Sequence, residues 1–137
     1  MIKVFLGGTV PGYDWRKDLE TMLKGSGIEL FNPIVDDWTD EARENEKKQR
    51  KISDFVLYVI TPFMHGVYSI AEAVDDSNKR PDKTLFCVLQ SRKEDGVSYT
   101  PVRWRSLMAT EELIKNNGAE TFVSLEDVAT YLSLMAK

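Results

Sequence analysis

Residues Phe55 to Ile60, FVLYVI, form an uninterrupted apolar run of strand length. A strand without apolar/polar alternation needs cover on both faces, the situation of strands in parallel sheets. Thr61, Pro62 and Gly66 break the run, and Val67, Ile70, Ala71 and Val74 then recur at helical spacing. In open α/β sheets, ligands bind just beyond the carboxyl ends of strands. Glu72 falls at that address, an acid among apolar neighbours in the opening of the helix. A carboxylate in that position is either a paired structural charge or a chemical group.

The same alternation runs through the chain. Apolar runs at Ile2–Leu6, Ile28–Phe31, Phe55–Ile60, Thr84–Leu89 and Thr121–Val123 predict strands. Helical patterns are expected at Asp14–Lys24, Thr39–Ile52, Gly66–Ser77 and Pro101–Asn117, and after Ser124, whose hydroxyl is a good N-cap with Asp127 at the N3 position of a capping box. Ser91–Ser98, charged and glycine-containing, reads as a flexible excursion. Strand–helix alternation implies parallel strands with crossovers. The expected object is one α/β domain over residues 1–137, a three-layer sandwich around a five-stranded parallel sheet with a flavodoxin-like strand order.

Charge and composition exclude several classes. The net charge is −4, with basic and acidic residues interleaved, so no basic patch points to a nucleic-acid polymer. The densest cationic stretch, Lys47–Lys51, shares a helical segment with Glu41, Glu44 and Glu46. It reads as a solvated helix face, with phosphate attraction the lesser alternative. No segment approaches the length of a membrane span, and the N-terminal apolar run lacks a signal-peptide layout; a cytoplasmic protein is expected. Cys87, the one cysteine, sits in LFCVL and reads as core; His65 is the one histidine. A multi-histidine or thiolate metal site within the chain is thereby excluded.

Three loops are expected at the carboxyl ends of neighbouring strands. The first, Gly7-Gly8-Thr9-Val10-Pro11-Gly12, lets a backbone approach a ligand closely, or simply makes a tight turn. It is neither a P-loop nor a dinucleotide fingerprint. The second holds Asp36, Asp37 and Trp38. Asp37 can cap the helix beginning near Thr39; alternatively one aspartate enters the site and Trp38 offers a flat wall to a base or sugar. The third runs from Pro62 to Glu72. Tyr68 lies four residues before Glu72, on the same helix face, and Ser69 three before it, able to bind a hydroxyl or phosphate. Asp75 and Asp76 read as helix-end surface. A lone carboxylate without metal or Ser/His/Cys nucleophile suits attack on an anomeric carbon.

KVFLGGT, FNP followed by Asp36-Asp37-Trp38, SDFVLYVITP and GVYSIAEAV, in this order, resemble the nucleoside 2-deoxyribosyltransferase-like family over roughly the first two thirds of the chain. The resemblance implies a nucleophile at Glu72 that forms a glycosyl-enzyme and passes 2-deoxyribose to another base or to water, with no cofactor. The substrate implied is a small deoxynucleoside or its 5′-monophosphate. Asp54 matches the aspartate that begins strand three. Gly7, Gly8, Thr9, Asp36, Trp38, Asp54, Gly66 and Ser69 are the expected substrate-binding residues, and Asp37 the candidate that protonates the base, with Asp36 the alternative. Phe5 stands where the family often has an orienting tyrosine, a role for which Tyr68 has better spacing than Tyr58. Family members are oligomers in which a neighbouring chain helps close each site; Asn116 and Asn117 are candidates for that contribution. A non-catalytic nucleotide or nucleotide-sugar binding module on the same fold is the competing reading.

Overall fold

The structure, a computed structural model, describes residues 1–137. Five parallel strands form one sheet: β1 (Lys3–Gly8), β2 (Glu29–Phe31), β3 (Phe55–Ile60), β4 (Thr84–Val88) and β5 (Glu120–Phe122). Their order is β2-β1-β3-β4-β5, the flavodoxin-like arrangement. Five helices connect and follow them: α1 (Trp15–Met22), α2 (Asp40–Ile52), α3 (Tyr68–Lys79), α4 (Pro101–Asn116) and α5 (Leu125–Met135).

Side chains that alternate across the sheet build two cores. Val4, Leu6, Leu57, Val59, Leu85 and Cys87 point to one face, where Trp15 and Leu19 of α1 and Val128 and Leu132 of α5 cover them. Phe5, Val56, Tyr58, Ile60, Phe86 and Val88 point to the other, against Ala73 of α3 and Leu107 and Ile114 of α4. The continuous apolar character of β3 follows, because its residues serve both cores in turn. α2 buries no residue at all, so apolar packing does little to hold it.

Differences from the sequence reading lie at element ends. α3 starts at Tyr68 rather than Gly66 and runs on to Lys79; β5 begins one residue earlier than expected. α2 starts after Thr39, whose hydroxyl accepts from the Ala42 N–H at 3.0 Å. Ser124 caps α5 by accepting from the Asp127 N–H at 3.2 Å, without a reciprocal bond from the Asp127 side chain. Residues 91–98 are less free than expected: a 3₁₀ turn spans Lys93–Asp95, and Arg92 pairs with Asp95 at 2.7 Å while lying 3.5 Å over the Tyr13 ring.

Gly8 closes the carboxyl end of β1. Its φ is +117°, and an added Cβ would fall 2.1 Å from the Val59 carbonyl oxygen of the neighbouring strand. Gly7 is confined differently, because a Cβ there would meet the Tyr58 ring at 2.6 Å. Tight packing therefore accounts for both glycines. Gly8→Ala is expected to destabilise the fold by about 2–4 kcal/mol, through left-handed backbone strain added to a clash with main chain that cannot yield. Urea unfolding with an unchanged midpoint would refute this.

Candidate functional site

The carboxyl end of β1 and the start of α3 meet the β2–α2 connection around a cavity of 310 Å³. Phe5, Gly7 and Gly8 line it from β1, Ile34, Val35 and Trp38 from the connection, Glu46 from α2, and Tyr68, Ser69 and Glu72 from α3. An adjoining 280 Å³ cavity shares Gly8, Tyr68 and Ser69 and adds Thr9, His65 and Gly66. A larger groove of 730 Å³ follows α1 and β2. Its walls mix charged α1 side chains such as Lys17 and Glu20, and the capping Asp14, with the turn at Gly25 and Gly27, and it includes neither Glu72 nor any residue of α3.

The Glu72 side chain is only 11 % exposed, with its Oε2 3.6 Å from Arg50 Nε. Burial pushes its carboxyl up to about 7; Arg50 opposes the rise, while Glu46 and Asp76 add to it. Burial also raises Glu46, again against Arg50. Two carboxyl groups of displaced titration thus share one cavity, a pattern found where one carries charge and the other a proton.

Arg50 is held by a buried ionic cluster. Asp76, 0 % exposed, accepts from Arg50 Nε and Nη2 at 3.1 and 3.0 Å, from Arg80 Nε and Nη2 at 2.9 and 2.6 Å, and from the Tyr58 hydroxyl at 2.6 Å. Arg50 Nε also donates to the Tyr58 oxygen at 3.0 Å, and Nη2 to the Glu72 carbonyl at 3.4 Å. Burial, reinforced by Asp76, keeps Tyr58 a neutral phenol far above the ordinary tyrosine range. Burial works against the Arg50 charge, but Tyr58, Asp76 and Glu72 hold it protonated. Asp76 is therefore not the helix-end surface acid that the sequence suggested. Tyr68, Glu72 and Asp76 of α3 and Arg80 at its C-cap recur every four residues along the side toward α2, and this periodicity was the available signal.

Arg16 is a second buried cation, 4 % exposed. Its Nε donates to the Leu6 carbonyl at 3.1 Å and its Nη1 to the Thr9 carbonyl at 2.9 Å, staking out the glycine loop. Burial lowers its titration to about 10, Asp14 opposing, so it remains charged at neutral pH. Thr9 ties the same loop to β3 by accepting from the Thr61 N–H at 3.0 Å.

The expected site residues divide into three groups. Gly7, Gly8, Trp38, Tyr68, Ser69 and Glu72 share the central cavity, and Thr9 and Gly66 the adjoining one. The anticipated hydrogen bond from Tyr68 to Glu72 is not formed. Tyr68 is 74 % exposed and presents its ring at the mouth, while Arg50 takes the place beside the carboxylate. Asp36 and Asp37 are exposed in a bend and line neither cavity; the cap that Asp37 was a candidate to supply comes from Thr39. Asp54 is a correction. It precedes β3 at the amino end of the sheet, opposite the site, and accepts from the Lys3 N–H at 2.8 Å. Cys87 is buried and its thiol is pushed up to about 12 by burial, which suits core rather than nucleophile.

Two stability measurements test these electrostatics. Asp76→Ala leaves Arg50, Arg80 and Tyr58 without their shared acceptor and is expected to cost about 3–5 kcal/mol; a loss below 1 kcal/mol would contradict the cluster. Glu72 in the folded chain binds its proton more tightly than in the unfolded chain, so stability falls as pH rises from the ordinary glutamate range through about 7. Glu72→Gln removes that penalty. The variant should melt higher than the parent at pH 8, by about 1 kcal/mol after allowance for solvent access, and equally at pH 4. A parent that gains stability across this interval relative to the variant would reverse the assignment.

Comparison with known proteins follows the same lines. The family model described as "Nucleoside 2-deoxyribosyltransferase like" matches residues 1–91, which include both glycines, the Asp36–Trp38 loop, β3 and Glu72. Among solved structures, a 2-deoxyribosyltransferase from Bacillus psychrosaccharolyticus superposes with a TM-score of 0.57 at 17 % identity, over 94 % of this chain and 91 % of that one. At that identity the likeness establishes the fold alone. No protein of curated function matches the chain in sequence. With its family model spanning β1 to β4 and the start of the connection beyond, the chain belongs to the nucleoside 2-deoxyribosyltransferase-like family.

Proposed function

We propose that the protein cleaves the N-glycosidic bond of a deoxynucleoside or its 5′-monophosphate, with Glu72 as nucleophile, and passes the sugar to another base or to water. The observation that carries this reading is the Glu72 carboxyl itself: nearly buried, poised near neutrality, and backed by Arg50 in a cavity of 310 Å³. Ionised Glu72 attacks C1′ as the bond to the base nitrogen breaks, and a glycosyl ester forms. The bonding pair leaves on the base, which takes a proton from an acid. The second base, or water, then attacks C1′, gives up its proton, and frees the Glu72 carboxylate.

Glu46 suits the acid role better than Asp37. It lines the cavity and holds its proton above the usual glutamate range, whereas Asp37 lies outside. Trp38, 59 % exposed, and Tyr68 offer flat walls for the base. Ser69 borders both cavities at the start of α3, whose N-terminus has no side-chain cap, an environment favourable to a 5′ oxygen or phosphate. Phe5 at the cavity wall has no hydroxyl to orient Glu72, and the Arg50 guanidinium fills that office.

Incubation with each deoxynucleoside or monophosphate and a second free base, read by chromatography, decides the reaction. New nucleoside identifies a transferase and free base alone a hydrolase; neither product would leave the binding module. Glu72→Gln should lose at least a thousandfold in turnover, and the parent should form a covalent sugar adduct on Glu72 with a 2-fluoro-substituted nucleoside, seen by intact mass. Because the nucleophile must be ionised, kcat/KM should rise with pH on a limb near 7. Glu46→Gln should slow substrates with poor leaving bases most, and Asp37→Asn should leave that ranking unchanged. The reverse ranking would return the acid role to Asp37.

Val10, Ile34, Val35, Trp38 and Tyr68 line the cavity and are all exposed at its mouth. This apolar rim supports a homo-oligomer in which a second copy closes the site. Sedimentation showing only monomer at micromolar concentration, with full activity, would refute closure by a partner.

A further inference from the structure

The cationic stretch of α2 that reads from sequence as a solvated face does not stand alone in the fold. Lys47, Arg50 and Lys51 of α2 face Lys79 of α3, Arg80 at its C-cap and Lys83 of the 3₁₀ turn at Pro81–Lys83 across a groove of 520 Å³. No apolar residue and no carboxylate lines it. Its volume is room for more than ten waters at about 30 Å³ each, so it accommodates a chain of charged groups rather than a single ion.

The internal partners leave positive charge over. Arg50 and Arg80 share one carboxylate, Asp76. Lys79 pairs with the half-exposed Asp75 at 3.1 Å, and Arg50 reaches the same side chain at 3.4 Å. Lys47 lies 3.7 Å from Glu44, both largely in water, where such a pair is weak. Lys51 and Lys83 make no ion pair. The carboxyl ends of α2 and α3 account for part of the attraction, since cations there complement the helix dipole. They do not require that cations from three elements line one groove.

The groove is also connected. Lys47 and Arg50 border both it and a 480 Å³ cavity whose other walls are Trp38, Arg43, Glu46, Tyr68 and Glu72. Arg50 therefore touches the cationic groove on one side and Glu72 on the other.

We propose that this groove binds a small anion carrying two or more phosphate groups, and that its occupancy is transmitted to Glu72 through Arg50. Phosphate oxygens accept several charge-assisted hydrogen bonds at once from guanidinium and ammonium groups. An anion on the outer side of Arg50 offsets the charge that now favours ionised Glu72. The groups facing Glu72 are Arg50 and Glu46 from α2, Asp76 from α3 and the Tyr58 hydroxyl from β3. Arg43 and Lys47 share the 480 Å³ cavity with Glu72 and Arg16 the 310 Å³ one, but only Arg50 forms an ion pair with Glu72, so weakening Arg50 leaves burial and like charge to hold the Glu72 proton to higher pH. The anion then inhibits near neutrality and loses its effect in base. The binding site stands on its own, whereas the coupling rests on Glu72 as nucleophile.

Calorimetric titration of the full chain with inorganic tripolyphosphate, at ionic strength fixed with sodium chloride, tests the site without reference to activity. Saturable binding is expected, weakened at least tenfold in Lys51→Glu/Lys83→Glu; both residues are exposed and outside the Glu72 cavity. Absent binding to the parent, or unchanged binding to a variant that melts like the parent, overturns the site. Adenosine triphosphate is titrated in parallel. Tighter binding than tripolyphosphate, lost in the same variant, identifies a nucleotide as the source; equal binding identifies the phosphate chain itself, and either supports the site. Preference for a single-stranded oligonucleotide at equal phosphate concentration overturns it in favour of a polymer. In the activity arm, tripolyphosphate should move the acid limb of kcat/KM upward in the parent and not in the variant. An unmoved limb at saturation overturns the coupling. A chain that binds tripolyphosphate but turns over neither deoxynucleosides nor their 5′-monophosphates overturns the proposed function and leaves the groove intact.

Discussion

The Asp76 carboxylate, fully buried beneath two guanidinium groups and a tyrosine hydroxyl, is the contact on which the organisation of the site depends. α2 buries no residue, so its position on the sheet is set largely by Arg50 reaching across to α3 and β3. A buried carboxylate is costly in isolation and tolerable only when its lone pairs are satisfied, and here five donor contacts meet it. Such a cluster adds little net stability compared with a packed apolar core. Its value lies in geometry, because only one arrangement of α2, α3 and β3 satisfies it.

Two acids one helical turn apart on α3 thereby acquire different characters. Asp76 is saturated with donors. Glu72 has one guanidinium at 3.6 Å and otherwise faces a cavity, so burial dominates and its proton is held to near neutrality. Arg50 serves both, as an anchor to Asp76 and as a counter-charge to Glu72. The cluster and the Glu72 carboxyl are thus joined through one guanidinium.

The site was partly legible in the chain. Glu72 stood out because a lone acid in an apolar helix start after a buried strand has few structural explanations. Gly7, Gly8 and Trp38 were identifiable from residue type beside a strand end or a helix start. Asp37 and Tyr68 illustrate the limit. Spacing placed Tyr68 on the face of Glu72, but its side chain stays at the rim, since the space beside the carboxylate belongs to an arginine 22 residues earlier in sequence. Two adjacent aspartates in an irregular loop carry no periodicity from which their directions follow. Asp54 shows a different failure, in which adjacency to the right strand concealed that it lies at the wrong end.

The amino-acid sequence by itself determined the α/β class, the strand and helix succession, the doubly covered β3 and the placement of Glu72 at a strand's carboxyl end. These rest on local periodicity and on break residues, which act over a few positions. Only the tertiary structure decided that Arg50 turns inward, that Asp76 is buried, that Glu46 joins Glu72 in one cavity, and that lysines and arginines from three elements line one groove. Charged side chains look alike in sequence whether they meet water or one another. Their roles are set by which distant elements the sheet order brings together, and that is a property of the folded chain.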